Sequence, residues 1–295
     1  TALLQKAARV LCSEAYRTAL RQHLAAGARS FAAARQAAVQ ALCPGSDIAA
    51  LLDKPNNNLA VEYCKAIIEQ NVEMQPIALP RQGADHGQAL TESAHAAFAS
   101  ASALRALWAE GGAAALAPYV PQKALKLYKQ AEYDGKYTDF AVMGHCELAL
   151  LRAACTEQAP FAAVRGVSEG LEHRLENAVR ETASLPALLD ALTTVRYPRA
   201  RMRRLAMDAA LGYTAQTPAL PPYLHLLGAR KEALPLPGET ALPLSHSLAR
   251  LARENETCAQ MAAAQSRASD LGALCRAKPE PMGGIYRQKI IFLTN

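Results

Sequence analysis

Rings and charge are both scarce in this chain. Aromatic residues supply 5% of its 295 positions, with one tryptophan, and charged residues supply 20%. Hydrophobic residues reach 51%, too many, with too little charge, for a chain disordered along its length. No stretch approaches the ~20 uninterrupted apolar residues of a membrane span. No N-terminal segment shows the charged, apolar, small-residue order of a secretory signal. Cysteine pairing motifs are missing too. The seven cysteines (Cys12, Cys43, Cys64, Cys146, Cys155, Cys258 and Cys275) are odd in number, scattered, and contain no C-x-x-C. That argues against a disulfide scaffold or zinc knuckle and predicts reduced thiols in a cytoplasmic protein. There is no P-loop, no G-x-G-x-x-G and no Ser/His/Asp arrangement, so spacing assigns no catalytic acid, base or nucleophile.

What the chain has in excess is alanine, about a fifth of all residues. With Leu, Arg and Gln it favours helix, because these side chains lose little rotamer freedom there. A mainly α protein of two domains is expected from the length. The net charge of +6 and pI near 9.0 permit an anionic partner.

Apolar periodicity and turn signals predict helices over 2–26, 31–42, 59–70, 100–108, 122–133, 138–154, 169–183, 186–193, 199–212, 241–253 and 256–276. A strand is expected over 73–79 and a β-rich run over 285–293. The segment 218–243, broken by prolines, reads as loop with a short helix near Tyr223. Small residues and prolines over 111–121 place a boundary between domains 1–115 and 116–295. The chain opens at Thr1 directly in a helical pattern, which reads as the continuation of a longer protein.

Three stretches could carry chemistry. The first runs from Pro55 through Asn56, Asn57 and Asn58 to Tyr63. Asparagine amides beside the free N–H groups of a helix start suit a phosphate, ribose or adenine edge. The plainer reading makes Asn58 the N-cap and its neighbours a tight turn, and spacing alone favours it. The second puts Arg81 and the Gly83–His86 loop just past the expected strand, where α/β sheets bind ligands. Arg81 could grip phosphate oxygens bidentately or be an ordinary surface charge. The third is the block Arg196, Tyr197, Pro198, Arg199, Arg201, Met202, Arg203 and Arg204. Met202, Leu205, Ala206 and Ala209 form a core stripe, which leaves the arginines on other faces. No acid lies within the block, so a phosphate-backbone contact and a solvated helix face stand as equal readings. Lys123, Lys126 and Lys129 with Tyr128, Tyr133 and Tyr137 make a weaker basic patch, best read as structural.

Taken in order, these stretches resemble the bacterial tRNA(Met) cytidine acetate ligases. The matching pieces are Pro55–Asn57 with Leu59, Glu62 and Tyr63; 76–81 with Gly83, Ala84 and His86; 99–105; Glu169 through Leu175; Arg196, Tyr197, Arg199, Arg201 and Arg204; and Tyr223 through Gly228. The resemblance covers most of the chain to about Gly228. It implies a mainly α fold, namely the remnant of a Rossmann-like α/β nucleotidyltransferase head over 1–115 followed by a helical, tRNA-binding domain. It also implies ATP, with Mg2+, as the activating substrate, acetate as the acyl donor and tRNA as the acceptor. By motif, Asn56, Asn57 and Arg81 would contact ATP. Arg196, Arg199, Arg201, Arg203 and Arg204 would face tRNA, an assignment resting more on charge. The family's H-x-G-H loop does not occur in the 295 residues. Asn58 stands where an aliphatic residue is usual, Ala60 where glycine is usual, and the loop after Arg81 is shorter. These departures predict the C-terminal portion of such a ligase, inactive alone. Competing expectations are a non-catalytic RNA-binding helical module, a nucleotidyltransferase of other specificity, and a protein-interaction domain.

Overall fold

The computed structural model describes residues 1–28, 30–80, 99–230 and 240–293. The described chain divides into two compact units, one within residues 1–80 and one beginning at Ala99.

The first unit is a helical bundle: α1 (Ala2–Cys12), α2 (Glu14–Ala25), α3 (Phe31–Leu42), α4 (Ile48–Leu52) and α5 (Pro55–Glu69). α1 packs along α5 and α2 along α3. Ala7, Ala8 and Ala38 are fully buried between them, with Val39, Ile48 and Val61; small side chains let the helix axes approach. The helix expected over 2–26 is split at Ser13. The Ser13 hydroxyl donates to the Val10 carbonyl at 2.7 Å and its oxygen accepts from the Tyr16 N–H at 3.2 Å, so one residue ends α1 and caps α2.

The strand expected over 73–79 is a correction. These residues run without a partner strand, and among the described residues the first unit holds no sheet. The Rossmann-like remnant is therefore not what the described part of this unit shows. An isolated extended segment has no ladder to satisfy its backbone groups; here one is taken by the Ala78 N–H, which donates to the Thr1 hydroxyl at 3.2 Å.

The second unit opens with α6 (Ala101–Gly111), a 3₁₀ turn at Ala113–Leu116, and α7 (Gln122–Asp134). Trp108 on α6 meets Tyr128 edge-on at 5.5 Å and Tyr137 at 5.8 Å. The boundary expected over 111–121 thus lies inside this unit. Gly112 turns the chain at φ +65°, and a side chain there would strike Glu132, whose carboxylate accepts from the Ala113 N–H at 2.9 Å.

α8 (Phe140–Ala154), α9 (Leu171–Glu181), α10 (Leu185–Leu192) and α11 (Arg199–Ala210) follow. Their core is Leu148, Leu151, Phe161, Leu171, Leu175, Leu188, Leu192, Met202 and Leu205. Asp139, Ser184 and Asn255 cap α8, α10 and α13 (Glu256–Leu274) with side-chain oxygens. The short helix expected near Tyr223 is instead β1 (Leu224–His225), pairing in parallel with β3 (Leu244–Ser245). β2 (Gly228–Arg230) pairs in parallel with β4 (Ile291–Leu293). Of the helix expected over 241–253 only α12 (Leu248–Leu251) forms, because Pro243 has no N–H for a helix and leads into β3. Residues 284–287 form α14 rather than strand. No described helix is long and apolar enough to cross a membrane.

Candidate functional site

Pro55 occupies the first position of α5, where its missing N–H is no loss. The asparagine row therefore lies inside the first turn, and Lys54, not Asn58, is the capping residue. Two of the three amides are committed to the bundle. Asn57 Nδ2 donates to the Leu51 carbonyl at 3.0 Å, and Asn58 Oδ1 accepts from the Arg35 guanidinium. Arg35, its side chain 16% exposed, also lies 3.9 Å from Glu62, which Lys65 approaches at 2.9 Å. Asn58, where the resemblance leads one to expect an aliphatic residue, thus satisfies a half-buried cation. Asn56 is exposed, with no side-chain hydrogen bond among the described residues, so it is the member of the row available to a ligand. Arg81, Gly83, Ala84 and His86 lie outside the described residues.

In the second unit the basic block enters α11 through Pro198. The carboxylates that the block itself lacks arrive from elsewhere. Arg196 pairs with Glu169 at 2.5 Å, and the Tyr197 hydroxyl donates to the same carboxylate at 3.2 Å. Asp190 on α10 pairs with Arg199. Two guanidinium groups approach the Tyr197 ring, Arg201 at 4.9 Å and Arg196 at 5.8 Å from its centre. Arg201 further donates to the Gly166 carbonyl at 3.4 Å. Arg203 and Arg204 are exposed with no ion pair among the described residues. Of the five arginines, these two are the least committed to the protein.

Glu169 escaped assignment as a site residue, although it heads one of the resembling motifs. It sits at φ +57°, a left-handed backbone unusual for a non-glycine, directly before Gly170 at φ +80°. Glu147 on α8 was also missed. It is 1% exposed, and its Oε1 has no hydrogen-bond partner among the described residues. Burial pushes its carboxyl up to about 7, against the pull of the Arg203 charge.

The remaining expectations divide. Tyr128 and Tyr137 are spent on Trp108, and Lys278 lies 5.6 Å over the Tyr133 ring, which accounts for the aromatics of the weaker basic patch as structure. His145 Nδ1 lies 2.9 Å from the Ala141 carbonyl, while Cys146 interacts with Cys275. Burial raises the Cys275 thiol to about 11 and pushes Cys12 and Cys155 up as well. None of the three is a ready thiolate. Among the described residues no three His, Cys, Asp or Glu side chains converge to hold a metal.

The HIGH Nucleotidyl Transferase family profile matches residues 1–282. The chain belongs to that family. Nothing in a match that begins at residue 1 supports the expected loss of an H-x-G-H portion.

Within the HIGH nucleotidyltransferases, similar curated proteins include the tRNA(Met) cytidine acetate ligase of Listeria monocytogenes serovar 1/2a. It is 30% identical over 186 residues, 61% of this chain and 45% of the relative. The ligase of Thermoanaerobacter sp. strain X514 is 28% identical over 217 residues, 72% of this chain and 52% of the relative. The chain spans about half the length of the curated relatives it matches. The crystal structure of Thermotoga maritima TmcAL bound with alpha-thio ATP superposes with a TM-score of 0.81 at 20% identity, covering 99% of this chain and 74% of that one. Its apo form gives 0.82 at 21%. At such identity this is a likeness of fold, and it places the mostly helical architecture among solved ones.

Proposed function

We propose that this HIGH nucleotidyltransferase serves an ATP-dependent tRNA(Met) cytidine acetate ligase-like reaction. An acetate oxygen would attack the α-phosphorus of ATP, forming acetyl-adenylate and releasing pyrophosphate. The exocyclic amine of the wobble cytidine would then attack the acetyl carbonyl and release AMP. The observation that carries this reading is the family match combined with similar curated proteins, from Listeria and Thermoanaerobacter, that are tRNA(Met) cytidine acetate ligases.

In the proposed division of labour, Asn56 at the start of α5 contacts ATP, with Asn57 oriented by its bond to Leu51 and Arg81 gripping phosphate. Mg2+ would arrive on the triphosphate, with phosphate oxygens and water as its ligands, in keeping with its usual binding. Arg196, Arg199, Arg201, Arg203 and Arg204 face tRNA, with Tyr197 held for stacking. The protein's contribution is positioning and charge stabilisation, without a covalent intermediate, which fits thiols raised by burial. Soluble cytoplasmic operation is part of the proposal.

Isothermal titration of ATP against the full-length protein tests it. Asn56→Ala and Arg81→Ala are each expected to weaken ATP binding at least about 10-fold, the loss of roughly one hydrogen bond to a charged group. Unchanged affinity in both variants overturns the ATP-site assignment. A second reading, a tRNA-binding helical module without catalysis, is favoured by the uncommitted Arg203 and Arg204 beside the held Tyr197. It predicts tRNA binding with no heat from ATP.

A further inference from the structure

Between α8, α10 and α11 lies a cavity of about 520 Å³, open to the surface. Met143, Leu148, Leu185 and Leu189 make its wall apolar, and Phe140 stands at its edge 67% exposed. Arg199, Arg203 and His145 also line it. His145 engages the Ala141 carbonyl through Nδ1. This combination is unlike the polar hollow of about 480 Å³ beside Tyr197, whose lining mixes Glu169 and Glu181 with Arg174.

Two acids temper the charge of the cavity. Asp190 pairs with Arg199, but both side chains are largely exposed, at 70% and 48%. Exposed pairs contribute only ~0–1 kcal/mol, so a phosphate can compete for that guanidinium. Glu147 lies near Arg203, and its burial disfavours the carboxylate that would neutralise the arginine. Arg204, next along α11, is also exposed but does not line the cavity. An apolar slot with an exposed ring and guanidinium groups at its mouth matches a flat base joined to anionic phosphates. Single-stranded RNA presents that chemistry when a base leaves the stack.

Building on the RNA-binding reading above, we propose that this cavity receives one unstacked nucleotide of a single-stranded RNA segment. The base lies against Phe140 and the apolar wall, and its flanking phosphates lie on Arg199 and Arg203. The occupant is distinguished from a duplex, whose bases are not free to enter.

Fluorescence anisotropy on the full-length protein tests the assignment. The probes are a labelled ten-nucleotide unstructured RNA, the same sequence in a duplex, and tRNA, each over a salt series. Phe140→Ala changes an exposed side chain and should leave the fold intact. It is expected to weaken the unstructured RNA about 5- to 150-fold, the value of one stacked base, with an unchanged salt slope and no effect on the duplex. Met143→Trp, which fills the slot, is expected to act likewise. Arg204→Ala should instead lower the salt slope. If Arg204→Ala weakens RNA binding while Phe140→Ala and Met143→Trp do not, the cavity assignment fails and the basic face stands. If no RNA or tRNA binds the unaltered protein, the RNA-binding reading fails with it.

Discussion

Glu169 combines a left-handed backbone with two side-chain partners, Arg196 and Tyr197. Such a conformation costs of order 1 kcal/mol in a non-glycine residue, and the exposed ion pair returns ~0–1 kcal/mol. Glu169→Gly relieves the backbone while removing the pair, so urea unfolding should show a net change within about 1 kcal/mol. Glu169→Ala removes the pair and keeps the strain, and should be the less stable of the two by about 1 kcal/mol. Equal stabilities would show that the backbone stores nothing there. Glu147 makes a pH-dependent prediction. Its carboxyl titrates near 7 in the fold, above the ordinary 4.5, so the folded state holds its proton more tightly than the unfolded one. The stability this confers is complete below about pH 4.5, falls as pH rises, and is lost above about pH 7. Glu147→Gln should flatten that part of the stability–pH curve; an unaltered slope between pH 5 and 7 would assign the titration elsewhere. Neither behaviour was legible locally. Glu169 meets Arg196 27 residues away, and nothing in the α8 sequence marks position 147 as buried.

At the scale of elements, short-range chemistry sets the helix ends: Ser100, Ser184 and Asn255 cap their helices, and Gly135 ends α7 in the left-handed region. Pro55 shows the limit of such signals. A row of asparagines reads as a cap, but the proline before it is the better first helical residue, and that moves all three asparagines into the turn. Ser13 shows the converse, a serine inside a continuous apolar pattern that breaks it. Ser13→Ala removes both of its hydrogen bonds and should destabilise the protein by about 1 kcal/mol in chemical denaturation. No loss would mean that α1 and α2 pack equally well as one helix.

For the whole molecule, the composition anticipated a mostly helical chain, and the ordered motifs anticipated the family. Charge is a property of the surface and can be tested as one. Arg203→Ala combined with Arg204→Ala should weaken tRNA binding across sequences and reduce the salt slope by about 1.5 to 2. A slope unchanged by the pair would place the tRNA contact on another face.

Helix content, caps, the core stripe of α11 and the positive charge were set by the sequence alone, because each depends on residues within one or two turns of one another. The pairing of β1 with β3, the split of the long first helix, the acids that reach Arg196 and Arg199, and the slot beside Phe140 were decided only by tertiary structure. Each of those brings together groups from different elements, and loop closure and packing, rather than local propensity, choose which groups meet.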